Sequence, residues 1–275
     1  MPESPSDPAQ TGADAGLPRL LRIMRRLRDP QTGCPWDVVQ DFDSIAPYTL
    51  EEAHEVADAI ARRDWPGLKG ELGDLLLQVV YHAQMGAEAG HFDFDAVASA
   101  AADKMVARHP HVFGDESRDR TPQEQSAAWE RIKEAERARD GAAAGTLDGV
   151  ALALPALTRA LKLQRRAARV GFDWPDSAGT LDKIAEETRE LSEARAHGDD
   201  AHIAEEFGDL LFAMVNLARQ LGIDPEAALR GANAKFTRRF EAVEAALAAR
   251  GRRAQDADLA EMDALWDAAK RAERG

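Results

Sequence analysis

Residues 71–83 read E-L-G-D-L-L-L-Q-V-V-Y-H-A, and their periodicity decides the fold class. Leu72, Leu75, Leu76, Val79, Val80 and Ala83 form one apolar stripe, with Glu71, Asp74 and Gln78 off it. That spacing predicts a helix with one buried face. From Leu17 onward the apolar residues keep helical spacing, and strict alternation over strand lengths is missing. Composition points the same way. Of 275 residues, 44% are hydrophobic, 31% are charged and 6% are aromatic, a balance suited to packed amphipathic helices. At about 150 residues per domain, the length allows one or two domains with real cores.

The same stretch also reveals a duplication. Glu71, Gly73 and Asp74 return as Glu206, Gly208 and Asp209, and the upstream Glu51, Glu52 and Glu55 return as Glu186, Glu187 and Glu190, all 135 positions later. Leu17-Pro18 opens a helical pattern that ends before Gly33 and Trp36, and Leu154-Pro155 opens one that ends before Gly171 and Trp174. Proline suits the first helical turn. Downstream, Lys104 and Arg108 are echoed by Lys235 and Arg239, and Trp129 and Lys133 by Trp266 and Lys270. The expectation is an all-α chain built from two tandem repeats of a helical-bundle unit. Residues 1–16, polar and rich in Pro, Gly and Asp, are expected to form a disordered tail. A first unit follows at 17–137, then a linker at 138–149 rich in small and charged residues, then a second unit at 150–275.

Glu52 and Glu55 are three apart and project from one helical face, as do Glu71 and Asp74 on the next helix. Between them Asp64, Trp65, Pro66 and Gly67 predict a turn that returns the second helix antiparallel to the first. Four carboxylates then converge, and the same holds for Glu187, Glu190, Glu206 and Asp209. Two unit charges 4 Å apart repel by about 4 kcal/mol at an effective dielectric near 20, so such a cluster calls for a cation. Oxygen ligands without His or Cys select a hard ion, Mg²⁺ or Mn²⁺. One E-E-x-x-E alone is an ordinary solvated face; its repetition beside E-x-x-D and an apolar stripe argues against that. Gly73 and Gly208 cost their helices about 1 kcal/mol each relative to Ala, which a close approach of a helix or ligand would explain.

Cations accompany the anions. Lys235 and Arg239, like Lys104 and Arg108, place two positive heads on one face, where a phosphate chain can bridge metal and base. Trp266 and Lys270 can add an aromatic face and a further cation, or Trp266 can pack into the core. His109-Pro110-His111 reads as a helix exit rather than a metal site.

Charge and cysteine content remove other classes. Thirty-five basic against 49 acidic residues leave a net charge of −14, the wrong sign for a nucleic-acid polymer as partner. Cys34 has no partner for a disulfide, the N-terminus carries no signal-like apolar region, and no apolar run approaches the roughly 18 residues of a membrane span. A cytoplasmic protein without a membrane partner is expected. A di-iron bundle needs Glu-x-x-His twice, and the second unit has Arg189 where Glu51-x-x-His54 would require its repeat. No G-x-x-x-x-G-K-[ST] is present to form a P-loop. A helical scaffold binding a basic partner is the remaining alternative, and it predicts no metal dependence.

With E-E-x-x-E and E-x-x-D duplicated on paired helices, GCPWD at 33–37 and KFTRRF at 235–240, the chain resembles the MazG family of the all-α NTP pyrophosphatase superfamily. The likeness runs from Leu17 to Arg271 and includes APYTLEE, GELGDLL and RHPHVF. The resemblance implies a dimer that needs Mg²⁺ and cuts a broad range of NTPs and dNTPs to the monophosphate and pyrophosphate, in nucleotide-pool house-cleaning. It implies Glu187, Glu190, Glu206 and Asp209 as catalytic metal ligands, with Lys235, Arg239, Trp266 and Lys270 around the nucleotide. The first-unit counterparts are Glu52, Glu55, Glu71, Asp74, Lys104, Arg108, Trp129 and Lys133. Both acidic sets are complete, but proline disfavours helix in the residue before it, so Arg108 starts from a fraying end while Arg239 continues in an unbroken pattern. The second unit is therefore expected to carry most of the turnover.

Overall fold

The computed structural model of the chain describes residues 16–119, 121–122, 124–125, 128–129, 131–132, 136 and 145–273. The tail before Gly16, the small-residue run at 138–144 and Lys133 lie outside the described residues. Among those described, every regular element is a helix. The chain divides into two compact units, Met1–Glu134 and Ala135–Gly275.

In the first unit, α1 spans Leu17–Leu27, the short α2 Pro35–Val38, α3 Phe42–Arg62, α4 Trp65–Glu88, α5 Phe94–Arg108 and the short α6 Pro110–Phe113. Helix α3 starts at Asp41, whose carboxylate accepts from the Ser44 amide while the Ser44 hydroxyl accepts from the Asp41 amide. This reciprocal cap satisfies two amides that the first turn leaves without partners. At the other end Arg63 adopts φ 56°, a left-handed stop. Asp64 at once caps α4 by accepting from the Gly67 amide at 3.0 Å. The two long helices are thus joined by two residues and pack antiparallel, with Thr49 meeting His82 at 2.9 Å. Met24, Ile45, Val80, Tyr81 and Met85 form the core, flanked by Leu20, Leu21, Leu77 and Phe94.

The approach to α3 is pinned from below. Arg28 donates Nη1 to the carbonyls of Asp37 and Gln40 and pairs with Glu88 through Nε and Nη2, while the Tyr81 hydroxyl also donates to Asp37 O. Burial pushes the Tyr81 hydroxyl up to about 12, so it stays a donor. Gly33 opens this segment where a Cβ would run into the carbonyl oxygens of Leu27 and Asp29.

The second unit repeats the plan: α7 Ala156–Arg169, α8 Ser177–His197, α9 Asp200–Gln220, α10 Pro225–Ala248, a single 3₁₀ turn at Ala254–Asp256 and α11 Leu259–Ala272. Asp176, Asp199, Asp224 and Asp258 cap α8, α9, α10 and α11, and Gly198 ends α8 at φ 73°. The segment before α8 is fastened with a different set: Arg219 on α9 bonds Asp173, and Thr180, fully buried, donates to Gln220.

The apolar stripe that announces α4 is divided in space. Val80 and Ala83 are buried, whereas Leu72 is 50% exposed and Leu76 and Val79 are also open to solvent. On α9 the same holds for Phe207, at 52% exposed, and for Leu211, Phe212 and Met214. Apolar side chains of both long helices therefore stand at the surface.

Candidate functional site

Helical spacing and the two-residue turn bring acidic groups of α3 and α4 together. Glu52, Glu55 and Glu71 each offer a carboxylate oxygen within 4.8 Å of the others. Burial and then the charge of Asp74 raise Glu52 above the ordinary carboxylate range, followed by Glu55, Glu51 and Glu71. Glu71 is raised in the same way, by burial and then by Glu55. Such mutual repulsion, among oxygen donors with no sulfur or imidazole in the set, fits a hard divalent cation.

The second unit assembles Glu187 and Glu190 of α8 with Glu206 of α9 to the same 4.8 Å criterion. Here Glu187 is buried, 4% exposed, and it is not left to repulsion. Lys183 Nζ lies 2.7 Å from Glu187 and 2.9 Å from Glu186, and those two carboxylates hold the lysine above its ordinary value. His202 Nε2 lies 2.8 Å from Glu206. At the matching first-unit positions stand Tyr48 and Gly67, so neither contact has a counterpart. Asp74 and Asp209 contribute no oxygen to these tight sets; each lies one turn beyond its Glu, on the same helix.

The cationic side also differs. Lys235 is exposed on α10, and Arg239 sits in the middle of that helix, its guanidinium 5.8 Å from the centre of the Trp266 ring on α11. Arg239 also pairs with Glu273 at 2.6 Å. Lys270 bonds Asp267 on its own helix. Trp266 is one wall of a cavity of about 250 Å³ with Phe236, Phe240, Val243, Leu259, Met262 and Asp263. In the first unit α5 ends at Arg108, with Pro110 already opening α6. Lys104 is exposed on α5, and the rings of Trp129 and His109 meet in a T-shaped arrangement with centroids 4.7 Å apart. Gly73 and Gly208 have nothing within 4 Å of an added Cβ, so no neighbour among the described residues explains them.

Sequence reading missed Lys183, His202 and Glu273. The first two sit one helical turn from a cluster glutamate, a detectable i,i+4 signal. Glu273 is 34 residues from Arg239, beyond any local pattern.

The description "MazG nucleotide pyrophosphohydrolase domain" matches residues 40–113 and again 176–244. The chain is 54% identical over 259 residues to the nucleoside triphosphate pyrophosphohydrolase of Escherichia coli (strain K12), covering 94% of this chain and 98% of that one. It is 41% identical over 251 residues to the nucleoside triphosphate pyrophosphohydrolase/pyrophosphatase MazG of Thermotoga maritima, covering 91% and 94%. Among solved structures, a mazG-related protein from Thermotoga maritima matches 43% of this chain and 99% of that one, at 26% identity and a TM-score of 0.36. No helix among the described residues is long and apolar enough to cross a membrane.

Proposed function

The chain belongs to the MazG nucleotide pyrophosphohydrolase family and is a hydrolase, and from that premise we propose that it cleaves NTPs and dNTPs to the monophosphate and pyrophosphate with Mg²⁺ as cofactor. The observation that carries this reading is the convergence of Glu187, Glu190 and Glu206 within 4.8 Å, in a chain whose relatives bear that activity in their names. Asp209, one helical turn beyond Glu206 and outside the tight set, would be the fourth ligand. A divalent cation held by Glu187, Glu190 and Glu206 would supply positive charge against the triphosphate.

The remaining work falls to the protein. Lys183 offsets the charge of buried Glu187, which lets an acidic cluster persist between turnovers. Lys235 and Arg239 meet the phosphates, and Trp266 with Lys270 borders the nucleoside. In-line attack of water at the α-phosphorus breaks the α–β anhydride bond, and Lys and Arg stabilise the charge that gathers on departing pyrophosphate. The second unit does most of this. The first, with Glu52, Glu55, Glu71 and Asp74, is a weaker or regulatory site. The protein works in the cytoplasm, clearing nucleotides from the pool.

Incubation with the eight common NTPs and dNTPs plus Mg²⁺ is expected to yield monophosphate and pyrophosphate. Diphosphate and orthophosphate as first products, or full activity in excess chelator, would contradict the reading. The exposed faces of α4 and α9 support a homodimer. Light scattering at micromolar concentration that gives a 30.0 kDa particle would refute it.

A further inference from the structure

The guanidinium of Arg239 is held from two directions. Its Nε and Nη2 both face Oε2 of Glu273, at 2.7 and 2.6 Å, while its Cζ lies 5.8 Å from the centre of the Trp266 ring. The second carboxylate oxygen, Oε1, is taken by Nε and Nη2 of the neighbouring Arg238, at 3.1 and 3.0 Å. One carboxylate is thus straddled by two guanidiniums.

Geometry and charge both leave something over. A guanidinium carries five donors in a rigid fork, and Glu273 occupies only the Nε/Nη2 edge of Arg239. The Nη1/Nη2 edge has no partner among the described residues, and it can take a phosphate through two parallel bonds. Were Glu273 paired with Arg239 alone, it would cancel the charge that a phosphate needs. With Arg238 on the other oxygen, two positive charges and one negative leave the clamp cationic. The Arg239 side chain is 17% exposed, so its fixed orientation is set by packing as well as by charge. The first unit echoes the spacing: Glu136 follows Trp129 by seven residues, as Glu273 follows Trp266.

We propose that Glu273 is a positioning residue: it fixes Arg239 over Trp266 with the Nη1/Nη2 edge open to the departing pyrophosphate, while Arg238 keeps the clamp positive. This rests on the nucleotide-hydrolysing reading above. It is distinct from a latch in which Glu273 competes with phosphate for Arg239, and the two differ in sign.

The test uses the full chain with Glu273→Gln, Glu273→Asp, Arg239→Gln and the double variant Arg239→Gln/Glu273→Gln, each checked for folding by helical circular dichroism. Glu273→Gln should lower kcat by between about tenfold and a hundredfold, as loss of alignment does, with KM moving much less. Glu273→Asp should recover part of the loss. On the Arg239→Gln background the Glu273 change should add nothing, because it acts through that side chain. A lower KM at unchanged kcat, or losses that multiply in the double variant, would overturn the proposal. A second readout needs no turnover: inorganic pyrophosphate with Mg²⁺ is titrated against tryptophan fluorescence. Weaker binding in Glu273→Gln and in Arg239→Gln supports the clamp, and unchanged binding in Glu273→Gln overturns it. Absence of nucleotide hydrolysis by the unaltered protein would instead contradict the functional reading, and the pyrophosphate titration would still decide the role of Glu273.

Discussion

The two units carry the same carboxylates in different company. Each places three glutamate oxygens within 4.8 Å from two helices joined by a tight turn. Around Glu187 and Glu206 stand Lys183 and His202; around Glu52 and Glu71 the same positions hold Tyr48 and Gly67. Arg239 lies mid-helix with Trp266 and Glu273 fixing it, whereas Arg108 ends its helix. Duplication has kept the acidic groups and let their supporting cations diverge. An acidic set can therefore be complete while the side chains that surround it differ. Burial, and after it the neighbouring carboxylates, raise Glu52 and Glu71 in the first unit, while in the second a lysine pairs with the buried Glu187.

Lys183 offers the larger way to break this contrast. Lys183→Met removes a charge-assisted contact beside a buried carboxylate, worth about tenfold or somewhat more in kcat/KM. Tyr48→Phe, at the matching place in the first unit, should leave kcat/KM within about twofold. Steady-state kinetics of the two variants decides, and equal effects would remove the distinction drawn at that position.

A smaller effect separates the units by pH. His82 lies between α3 and α4, stacked on Phe42 and bonded to Thr49, and burial holds its pKa below the ordinary 6.5. A base depressed in the fold contributes stability that is present above its unfolded pKa and lost as pH falls through its folded value. Lowering pH from about 7.5 to about 5.5 should therefore cost the protein stability through the first unit. His82→Gln should flatten the pH dependence of the melting temperature by about a degree or two. An unchanged slope would remove His82 from this role.

Much of this was legible in the residues. Glu71 to Ala83 announces a helix and the 135-residue recurrence a second copy, whereas the turn expected over Asp64 to Gly67 is made one residue earlier by Arg63 and Asp64, with Trp65, Pro66 and Gly67 already forming the capped first turn of α4. The paired helices follow from those three readings, as does the meeting of their acidic faces. The exposure of Leu72, Leu76 and Phe207 did not follow, because periodicity shows that a face is apolar without showing whether the same chain covers it. Lys183 illustrates a subtler loss. Reading by self-similarity selects what two copies share, so a residue matched with Tyr48 drops out although its i,i+4 relation to Glu187 is local. Glu273 reaches Arg239 only through the packing of α10 on α11, and pairing across 34 residues has no periodic signature.

The division of labour between the units is tested most directly by two single variants, Glu206→Gln and Glu71→Gln, compared at saturating nucleotide and Mg²⁺ with folding verified by circular dichroism. Each removes one carboxylate charge from its cluster and keeps the side-chain volume. Glu206→Gln is expected to lose most hydrolysis, about a hundredfold or more, and Glu71→Gln to retain much of it. If Glu71→Gln proves the more damaging change, the working site is in the first unit and not in the second.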